Sequence, residues 1–296
     1  MKKLLAVLLT AAMTMAMLTA CGSSTEATDT TTETTEAEAD TTTDDAAVEE
    51  TAEAADAADA AEETADTEAA VSEALADGML TAGTNAEFPP FEYVGDDGEA
   101  DGFDIALIKA IGEKLGVDVQ VDNMEFASLV SSIGNKIDVA IAGMTITDER
   151  KEAVDFSEPY YEAVQYVLLP EGSEIATAED LKNKTIGVQL GTTGDFIASD
   201  IEGTTVNTYN KGVDAVNDLI NGRVDCVIID KNPALVFESK FQDDGSKITA
   251  VEFEPEYYAI AVPKGDTALV DAINKAIEEL KADGTFDELV KTYIEE

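Results

Sequence analysis

The sequence predicts an α/β fold with two lobes, each a mostly parallel β-sheet flanked by helices, joined by a two-strand hinge. Segments with strand and helix patterns alternate in residues 79–142 and again in residues 185–229. This alternation is typical of βαβ units, whose strands pair in parallel. Two amphipathic helices, over residues 266–281 and 286–293, follow the second set. The repeated rhythm predicts two similar lobes, and the terminal helices are expected to return to the first one.

The elements of the first lobe follow from periodicity and from turn residues. A helix over residues 103–115 has apolar side chains with a period near 3.6, and Gly116 ends it. Pro89 and Pro90 exclude a helix in the loop that precedes it. The expected elements are the strands Met79–Thr84, Val117–Val121 and Asp138–Ala142 and the helices Phe103–Leu115 and Phe126–Ile133.

The second lobe repeats the pattern. Expected strands are Ala163–Leu169, Thr185–Val188, Thr204–Thr208, Val224–Ile229 and Ile248–Phe253, with helices from Thr177, from Asp195 and over Val213–Ile220. The expected strand Tyr257–Val262 belongs to the return into the first lobe. Because the chain is expected to cross between the lobes twice, we place lobe 1 at residues 78–164 plus 257–296 and lobe 2 at residues 165–256.

The N-terminal residues predict a targeting signal and a tether. Two lysines precede an apolar run over residues 4–17, which is too short for a stable membrane span. Residues 18–22 (LTACG) then resemble a bacterial lipoprotein signal, with residues 1–20 removed and Cys21 acylated, for example with palmitate. The alternative is an ordinary secretory signal in which Cys21 has no role. Residues 21–77 are rich in Thr, Ala, Glu and Asp and lack Lys and Arg, which predicts a disordered acidic tether.

The composition narrows the classes of function. The formal net charge of −45 argues against nucleic acid and against direct binding to anionic lipid surfaces. The chain has no His, the usual catalytic base and the commonest metal ligand. We therefore expect no metal, no cofactor and no enzymatic activity. Cys226 alternates within an apolar strand and is expected to be an inert buried thiol. We also expect a monomer.

Polar residues gather where the predicted strands end. Residues 85–91, 143–150, 191–194 and Asp230 each follow a strand. Ligands of open α/β sheets bind outside the carboxyl ends of the strands. Two lobes with facing strand ends form a cleft that closes by a hinge motion. The sequence thus predicts a ligand site between the lobes.

The residue types in this cleft suit a free amino acid. The planar fork of Arg150 matches a carboxylate, with the Thr145 hydroxyl beside it. The backbone N–H groups of Thr192 and Thr193, at a helix start, offer a second anion site. Asp230 suits the ammonium group.

Three further residues complete the predicted cleft. The Gly143 carbonyl and the Thr145 hydroxyl would help Asp230 to hold the ammonium group. Phe88 and Phe126 would clamp the ligand between aromatic faces.

Each of these assignments has a structural alternative. Arg150 also fits as a surface residue in the first turn of a helix, where Asp148 and Glu149 suit the helix dipole. Asp230 also fits as a cap for the helix that contains Pro233. Residues 191–194 also fit as a simple turn, and the two phenylalanines as core aromatics.

Six motifs in order resemble the bacterial solute-binding proteins of family 3, the extracellular binding components of ABC importers for polar amino acids. They are GTNAEFPPFEY (83–93), GFDI (102–105), IDVAIAGMTITDERKEAVDF (137–156), SEPYY (157–161), GVQLGTTG (187–194) and GRVDCVIID (222–230). The resemblance covers residues 78–296 and implies the two-lobed periplasmic-binding-protein type II architecture.

The resemblance also implies site residues. The family's carboxylate-binding arginine falls on Arg150, and its ammonium-binding acid falls on Asp230. Its small polar contacts fall on Gly143, Thr145 and Thr193, and its stacking aromatics on Phe88 and Phe126.

One departure from the family bears on the ligand side chain. Many relatives carry an acid where this chain has Asn85, and the nearby acid here is Glu87. If Glu87 and Gln189 face the ligand side chain, they favour a cationic or amide-bearing amino acid; the alternative is that Glu87 faces solvent.

The leading hypothesis is a lipid-anchored receptor on the outer face of the membrane. It would capture an amino acid and deliver it to the permease subunits of an ABC transporter. One rival is a cyclohexadienyl-type dehydratase on the same fold, with Glu87 as an acid. A second rival is a tethered amino-acid sensor.

Overall fold

The computed structural model describes residues 72–241, 246–249, 251 and 253–295. The predicted signal, the predicted lipidation site Cys21 and most of the predicted tether lie outside these residues. The strands are β1 Met79–Thr84, β2 Glu87–Phe88, β3 Glu92–Val94, β4 Ala100–Asp101, β5 Asp118–Asn123, β6 Val139–Ala140, β7 Val154–Phe156, β8 Tyr161–Ala163, β9 Gln165–Pro170, β10 Thr185–Gln189, β11 Thr205–Tyr209, β12 Cys226–Asp230, β13 Ser246–Thr249, β14 Glu256–Tyr258 and β15 Ala261–Pro263.

The α-helices of the described residues follow the predicted order. They are α1 Phe103–Leu115, α2 Leu129–Ser132, α3 Asp148–Ala153, α4 Thr193–Asp200, α5 Gly212–Ile220, α6 Lys231–Phe241, α7 Thr267–Asp283 and α8 Thr285–Tyr293. Helix α1 has the predicted bounds, and Gly116 ends it in the left-handed conformation with φ 72°. No helix among the described residues has the length and apolar composition needed to cross a bilayer.

The first sheet has the strand order β5-β1-β6-β15-β7. Strand β1 pairs in parallel with β5 and β6, whereas β15 is antiparallel to both of its neighbours. The apolar face of α1 packs on the core of this sheet through Leu107, Ile108 and Ile111, all fully buried. Each such side chain stabilises the fold by about 1.5–3 kcal/mol relative to an exposed one.

The second sheet has the strand order β11-β10-β12-β9-β13. Strand β10 pairs in parallel with β11 and β12, and β9 is antiparallel to both β12 and β13. Cys226 is fully buried in β12, as predicted, and burial raises the pKa of its thiol to about 12. The fold is the predicted α/β type with two lobes, which we call lobe 1 (around the first sheet) and lobe 2 (around the second).

Two short strands connect the lobes. Strand β8 pairs antiparallel with β14, so that Tyr161 lies opposite Tyr258 and Ala163 lies opposite Glu256. We call this two-stranded element the hinge pair. The chain passes from β8 into β9 of lobe 2 and returns from β14 into β15 of lobe 1. The prediction of single strands over 163–169 and 257–262 was wrong, because each segment leaves one sheet and enters another.

Other differences concern short elements. The predicted helix over 126–133 consists of a 3-10 turn at Phe126–Ser128 followed by α2, and the helix at Thr177 is a 3-10 turn, Ala178–Leu181. Strand β7 and the antiparallel three-stranded sheet β2-β3-β4 were not predicted. These strands are two or three residues long, too short for an alternating pattern to be recognised.

Candidate functional site

Arg150 lies in the first turn of α3, at the edge of lobe 1 that faces lobe 2. The Thr147 side chain caps the helix by accepting a hydrogen bond from the Arg150 N–H at 3.1 Å. The Arg150 side chain is 7% exposed, which excludes the alternative of a surface arginine. A buried charge requires hydrogen-bonding partners, so the groups around the Arg150 guanidinium indicate where a ligand would bind.

The guanidinium of Arg150 reaches across to lobe 2. Its Nη1 donates to the Thr145 carbonyl at 2.6 Å, and its Nη2 donates to the Gly191 carbonyl at 3.0 Å. Burial lowers the pKa of Arg150 to about 10, although the charges of Glu256 and Asp230 oppose this shift. Arg150 therefore stays protonated at neutral pH. Among the described residues, these two bonds use two of its five N–H donors, so three are left for a carboxylate.

Gly143 occupies the turn between β6 and α3. Its φ is 51°, and a Cβ at this position would lie 2.8 Å from Cε1 of Phe88. Only glycine fits here without strain. The Gly143 N–H donates to the Asp104 carboxylate at 2.7 Å, and the Tyr160 hydroxyl donates to the same oxygen at 2.7 Å. Asp104 thus fixes the turn that carries Gly143 and Thr145.

A second buried acid, Glu92, supports Asp104. Both are fully buried, and burial raises the pKa of Asp104 to about 6. Burial, and then the charge of Asp104, raise the pKa of Glu92 well above its usual value. Both carboxyl oxygens of Glu92 and Oδ1 of Asp104 are buried and have no hydrogen-bond partner among the described residues. Both acids are therefore weaker than exposed carboxyl groups.

Thr145 of lobe 1 and Thr193 of lobe 2 meet at a carboxylate that the sequence analysis did not identify. The two hydroxyls each donate to Glu256 Oε2 at 2.7 Å. Gln165 Nε2 lies 3.4 Å from the same oxygen and 3.2 Å from Thr193 Oγ1. Thr145 was predicted to offer its hydroxyl to a carboxylate; in the structure the hydroxyl proton is already used.

Asp230 ends β12 and is 6% exposed. It accepts a hydrogen bond from the Tyr258 hydroxyl, which comes from the hinge pair. Burial, followed by the charge of Glu256, raises the pKa of Asp230 to about 7. Asp230 therefore lies at the strand end that the sequence predicts, within electrostatic reach of Arg150.

The two predicted aromatic contacts differ in their surroundings. Phe88 is 7% exposed and stacks on Phe91, with 5.9 Å between ring centroids, while its edge contacts the Gly143 turn. Phe126 is partly buried, and the Arg150 guanidinium carbon lies 5.3 Å from its ring centroid. This cation–π contact orients the guanidinium. Both rings lie beside groups of the predicted site, and stacking on a ligand remains a prediction.

Thr192 acts as the cap of α4. Its hydroxyl donates to the Gln189 carbonyl at 2.8 Å, and its own N–H lies 3.4 Å from that carbonyl. The Thr192 Oγ1 also accepts from the Asp195 N–H at 3.4 Å. The residue shapes the turn that presents Thr193, and its predicted direct contact with a ligand stays a prediction.

The lobes touch along the rim of the cleft. Gln189 Nε2 donates to Asn85 Oδ1 at 2.9 Å, and both side chains are buried. Asn210 Nδ2 donates to Glu125 Oε1 at 2.7 Å. Glu87, predicted to face the ligand side chain, forms an ion pair with Lys211. The structure places Glu87 at the interface between the lobes, and neither of the sequence-based alternatives included this pairing.

A cavity of about 360 Å³ lies at the hinge pair, and the residues that line it differ from those of the predicted ligand site. It is lined by Phe91, Tyr161, Glu162, Ala163, Val164, Lys231, Asn232, Pro255 and Tyr258. It contains none of the predicted ligand contacts. The described residues also contain no group of three or more His, Cys, Asp or Glu side chains arranged to hold a metal.

Known proteins similar to this chain share most of its folded region. Residues 80–296 match the bacterial extracellular solute-binding proteins, family 3. The chain is 35% identical to the L-cystine-binding protein TcyJ of Escherichia coli (strain K12), over 72% of this chain and 81% of that protein. It is 36% identical to the arginine-binding extracellular protein ArtP of Bacillus subtilis (strain 168), over 72% of this chain and 85% of that protein.

Solved structures give the same result. An ancestral arginine-binding protein bound to arginine is 43% identical, with a TM-score of 0.71, over 73% of this chain and 98% of that one. The family match, residues 80–296, covers the described lobes almost completely. The family consists of binding proteins rather than enzymes. The chain therefore belongs to the bacterial extracellular solute-binding proteins of family 3.

Proposed function

We propose that this chain captures an amino acid between its lobes and delivers it to the permease of an ABC transporter, without catalysing a reaction. The observation that carries the proposal is a pair of buried opposite charges at facing strand ends. Arg150 of lobe 1 has three N–H donors with no partner in the described part of the chain, which suit the carboxylate, and Asp230 of lobe 2 suits the ammonium group. Charge-assisted hydrogen bonds of this kind are about twice as strong as neutral ones.

We further propose that the ligand is a cationic amino acid. The cleft holds two acids, Asp230 and Glu256, against one cation, Arg150, because Glu87 and Lys211 neutralise each other at the rim. A zwitterion leaves this net negative charge in place, whereas a cationic side chain offsets it. The similarity to proteins described as arginine-binding supports the same class.

The amide groups at the rim are consistent with a ligand side chain that donates hydrogen bonds. Both protons of the Gln189 amide are used, by Asn85 Oδ1 at 2.9 Å and by the Asn210 carbonyl at 3.2 Å. Gln189 therefore offers only a carbonyl oxygen to a ligand. A guanidinium or ammonium group donates to such an oxygen, and so does the amide of a neutral ligand such as glutamine.

The direct test is a thermal-shift measurement against the twenty amino acids. A ligand present at 100 times its dissociation constant stabilises the folded state by about 2.7 kcal/mol. We expect shifts for arginine and lysine and smaller ones for neutral amino acids. No shift with any amino acid, before and after unfolding and refolding to release a retained ligand, would reject the proposal.

The membrane anchor is a separate part of the proposal. We propose that Cys21 carries lipid and that residues 21–77 tether the binding domain near the permease, which raises its effective concentration there. The test is Cys21→Ser in the full-length chain, followed by fractionation and labelling with a fatty-acid analogue. We expect the variant to leave the membrane fraction and to lose the label; retention of both would contradict the anchor.

A further inference from the structure

Glu256 lies at the junction of the two lobes and the hinge. It begins β14 of the hinge pair. Its Oε2 accepts from the Thr145 hydroxyl of lobe 1 and from the Thr193 hydroxyl of lobe 2, at 2.7 Å each. No sequence motif pointed to this residue, although it contacts two of the predicted ligand-binding side chains.

The directions of these bonds follow from proton counting. A threonine hydroxyl has one proton and two lone pairs, and a carboxylate has only acceptors. Thr145 and Thr193 must therefore both donate to Glu256, which uses the single proton of each. Gln165 Nε2, at 3.2 Å, in turn donates to Thr193 Oγ1.

The effect on a ligand depends on whether its carboxylate or its ammonium group approaches these two hydroxyls. With their protons used, the two hydroxyls have only lone pairs left for a ligand, so they repel a carboxylate and accept from an ammonium group. Asp230 lies close enough to Glu256 for the charge of one to act on the other. The acceptors Thr145 Oγ1, Thr193 Oγ1 and Asp230 thus lie near two negative charges, those of Asp230 and Glu256, and the charge of Arg150 lies close enough to interact with both acids.

We infer that Glu256 is a positioning residue for the ammonium group of the ligand: it turns the Thr145 and Thr193 hydroxyls into acceptors and adds a second negative charge beside Asp230. The inference rests on the proposed function. It also gives the hinge a part in recognition, because Glu256 makes both bonds only when Thr145 and Thr193 of the two lobes are close together.

A set of three matched probes tests this role. Arginine has both end groups, agmatine lacks the carboxylate, and 5-guanidinopentanoic acid lacks the α-ammonium. Dissociation constants are measured by calorimetry for the wild type and for Glu256→Gln, which keeps the shape and removes the charge. Glu254→Gln, an exposed change in the same segment, is the control for net charge.

The expected result is selective. For Glu256→Gln, the dissociation constants of arginine and agmatine rise about tenfold or more, as for a lost charged interaction, while that of 5-guanidinopentanoic acid changes less than about threefold. Glu254→Gln should leave all three close to the wild-type values. If the thermal-shift panel selects another amino acid, its decarboxylated and deaminated forms replace these probes.

Two results would overturn the inference. Equal losses for all three probes would make Glu256 a purely structural residue. Tighter binding of arginine and of 5-guanidinopentanoic acid, with agmatine unchanged, would mean that the Glu256 carboxylate competes with the ligand carboxylate. Wild-type binding of an amino acid tests the proposed function separately: if the wild type binds none, both proposals fail, and if it binds with no selectivity change in the variant, only the inference fails.

Discussion

The two lobes share one pattern of parallel and antiparallel strand pairing, but the groups that hold their parts of the site differ. In lobe 1 the order is β5-β1-β6-β15-β7 and in lobe 2 it is β11-β10-β12-β9-β13, each with a parallel trio and an antiparallel fourth strand. Lobe 1 holds the turn at Gly143 by its own buried Asp104, which accepts from the Gly143 N–H and from the Tyr160 hydroxyl. Lobe 2 offers Thr193 and Asp230, whose side-chain partners Glu256 and Tyr258 belong to the hinge pair.

Because of this difference, we expect the two lobes to contribute to ligand binding in different ways. The Gly143 turn of lobe 1 is held within its own lobe, because Asp104 and Tyr160 both belong to lobe 1, although Thr145 also donates to Glu256 and Arg150 to the Gly191 carbonyl. The Thr193 and Asp230 side chains of lobe 2 bond to Glu256 and Tyr258 of the hinge pair, in addition to the bond from Gln165 to Thr193 within lobe 2. We therefore expect lobe 1 to determine the intrinsic affinity for the carboxylate, and lobe 2 and the rim to determine closure.

The largest expected effect is in lobe 1. Arg150→Ala removes the carboxylate fork and leaves Asp230 and Glu256 without a nearby cation. We expect the ligand to lose at least about 1.5–3 kcal/mol of binding free energy, measured by calorimetry. Circular dichroism should show a retained fold.

Arg223→Ala is the matched control for this change. Arg223 is exposed and pairs with Asp218 in lobe 2, away from the cleft. It should bind ligand as the wild type does. Near-wild-type affinity in Arg150→Ala would remove Arg150 from the site.

The second prediction concerns lobe 2 and pH. The pKa of Asp230 is raised to about 7, so below that pH the free protein holds a proton that an ammonium ligand must displace. Affinity should therefore fall as the pH drops from 7 towards 5, by up to about tenfold per pH unit. Asp230→Asn should bind more weakly at pH 8 and lose most of the pH dependence. A flat profile in the wild type would contradict this account.

The third prediction tests whether Glu87 acts in the contact between the lobes at the rim or in the ligand pocket. Glu87 and Lys211 form an ion pair across the lobes, with side chains 26% and 49% exposed. Exposed pairs contribute about 0–1 kcal/mol, so Glu87→Gln and Lys211→Ala should each weaken binding slightly, chiefly through faster dissociation. The two effects should be similar and should shrink at high salt. A much larger loss for Glu87→Gln, and only with cationic ligands, would instead make Glu87 a ligand contact.

The smallest expected effect at neutral pH is that of Glu92→Gln. Glu92 and Asp104 hold protons more tightly in the folded state, so their contribution to stability is complete below about pH 4 and is lost as the pH rises through the folded-state values. The variant should bind ligand normally at pH 7 and should lose less stability than the wild type as the pH rises. Urea unfolding from pH 6 to 9 measures this, with the exposed change Glu99→Gln as control.

The sequence predicted the parts of this molecule that are encoded locally. The helix period and Gly116 gave the bounds of α1, and the rule for strand ends located Arg150 and Asp230. Thr145 and Thr193 were singled out in the same way: Thr145 lies in the turn after β6, and Thr193 begins α4 after β10.

The residues that were missed come from distant parts of the chain. Glu256 is 111 residues from Thr145 and 63 from Thr193, and Asp104 is 39 from Gly143. The Glu256 contacts depend on how the antiparallel hinge pair is aligned with the two lobes, and the Asp104 contact depends on how α1 packs beside β6; one sequence carries no local signal for either. Glu87 illustrates the same limit, because its partner Lys211 lies in the other lobe.

A crystal structure of the wild type with the amino acid that gives the largest thermal shift tests the central claim most directly. The account predicts carboxylate oxygens about 3 Å from the Arg150 guanidinium and an ammonium nitrogen about 3 Å from Asp230 and from the Thr145 hydroxyl, with that hydroxyl still bonded to Glu256. A ligand bound with its ends reversed, or bound in the cavity beside the hinge pair, would contradict it.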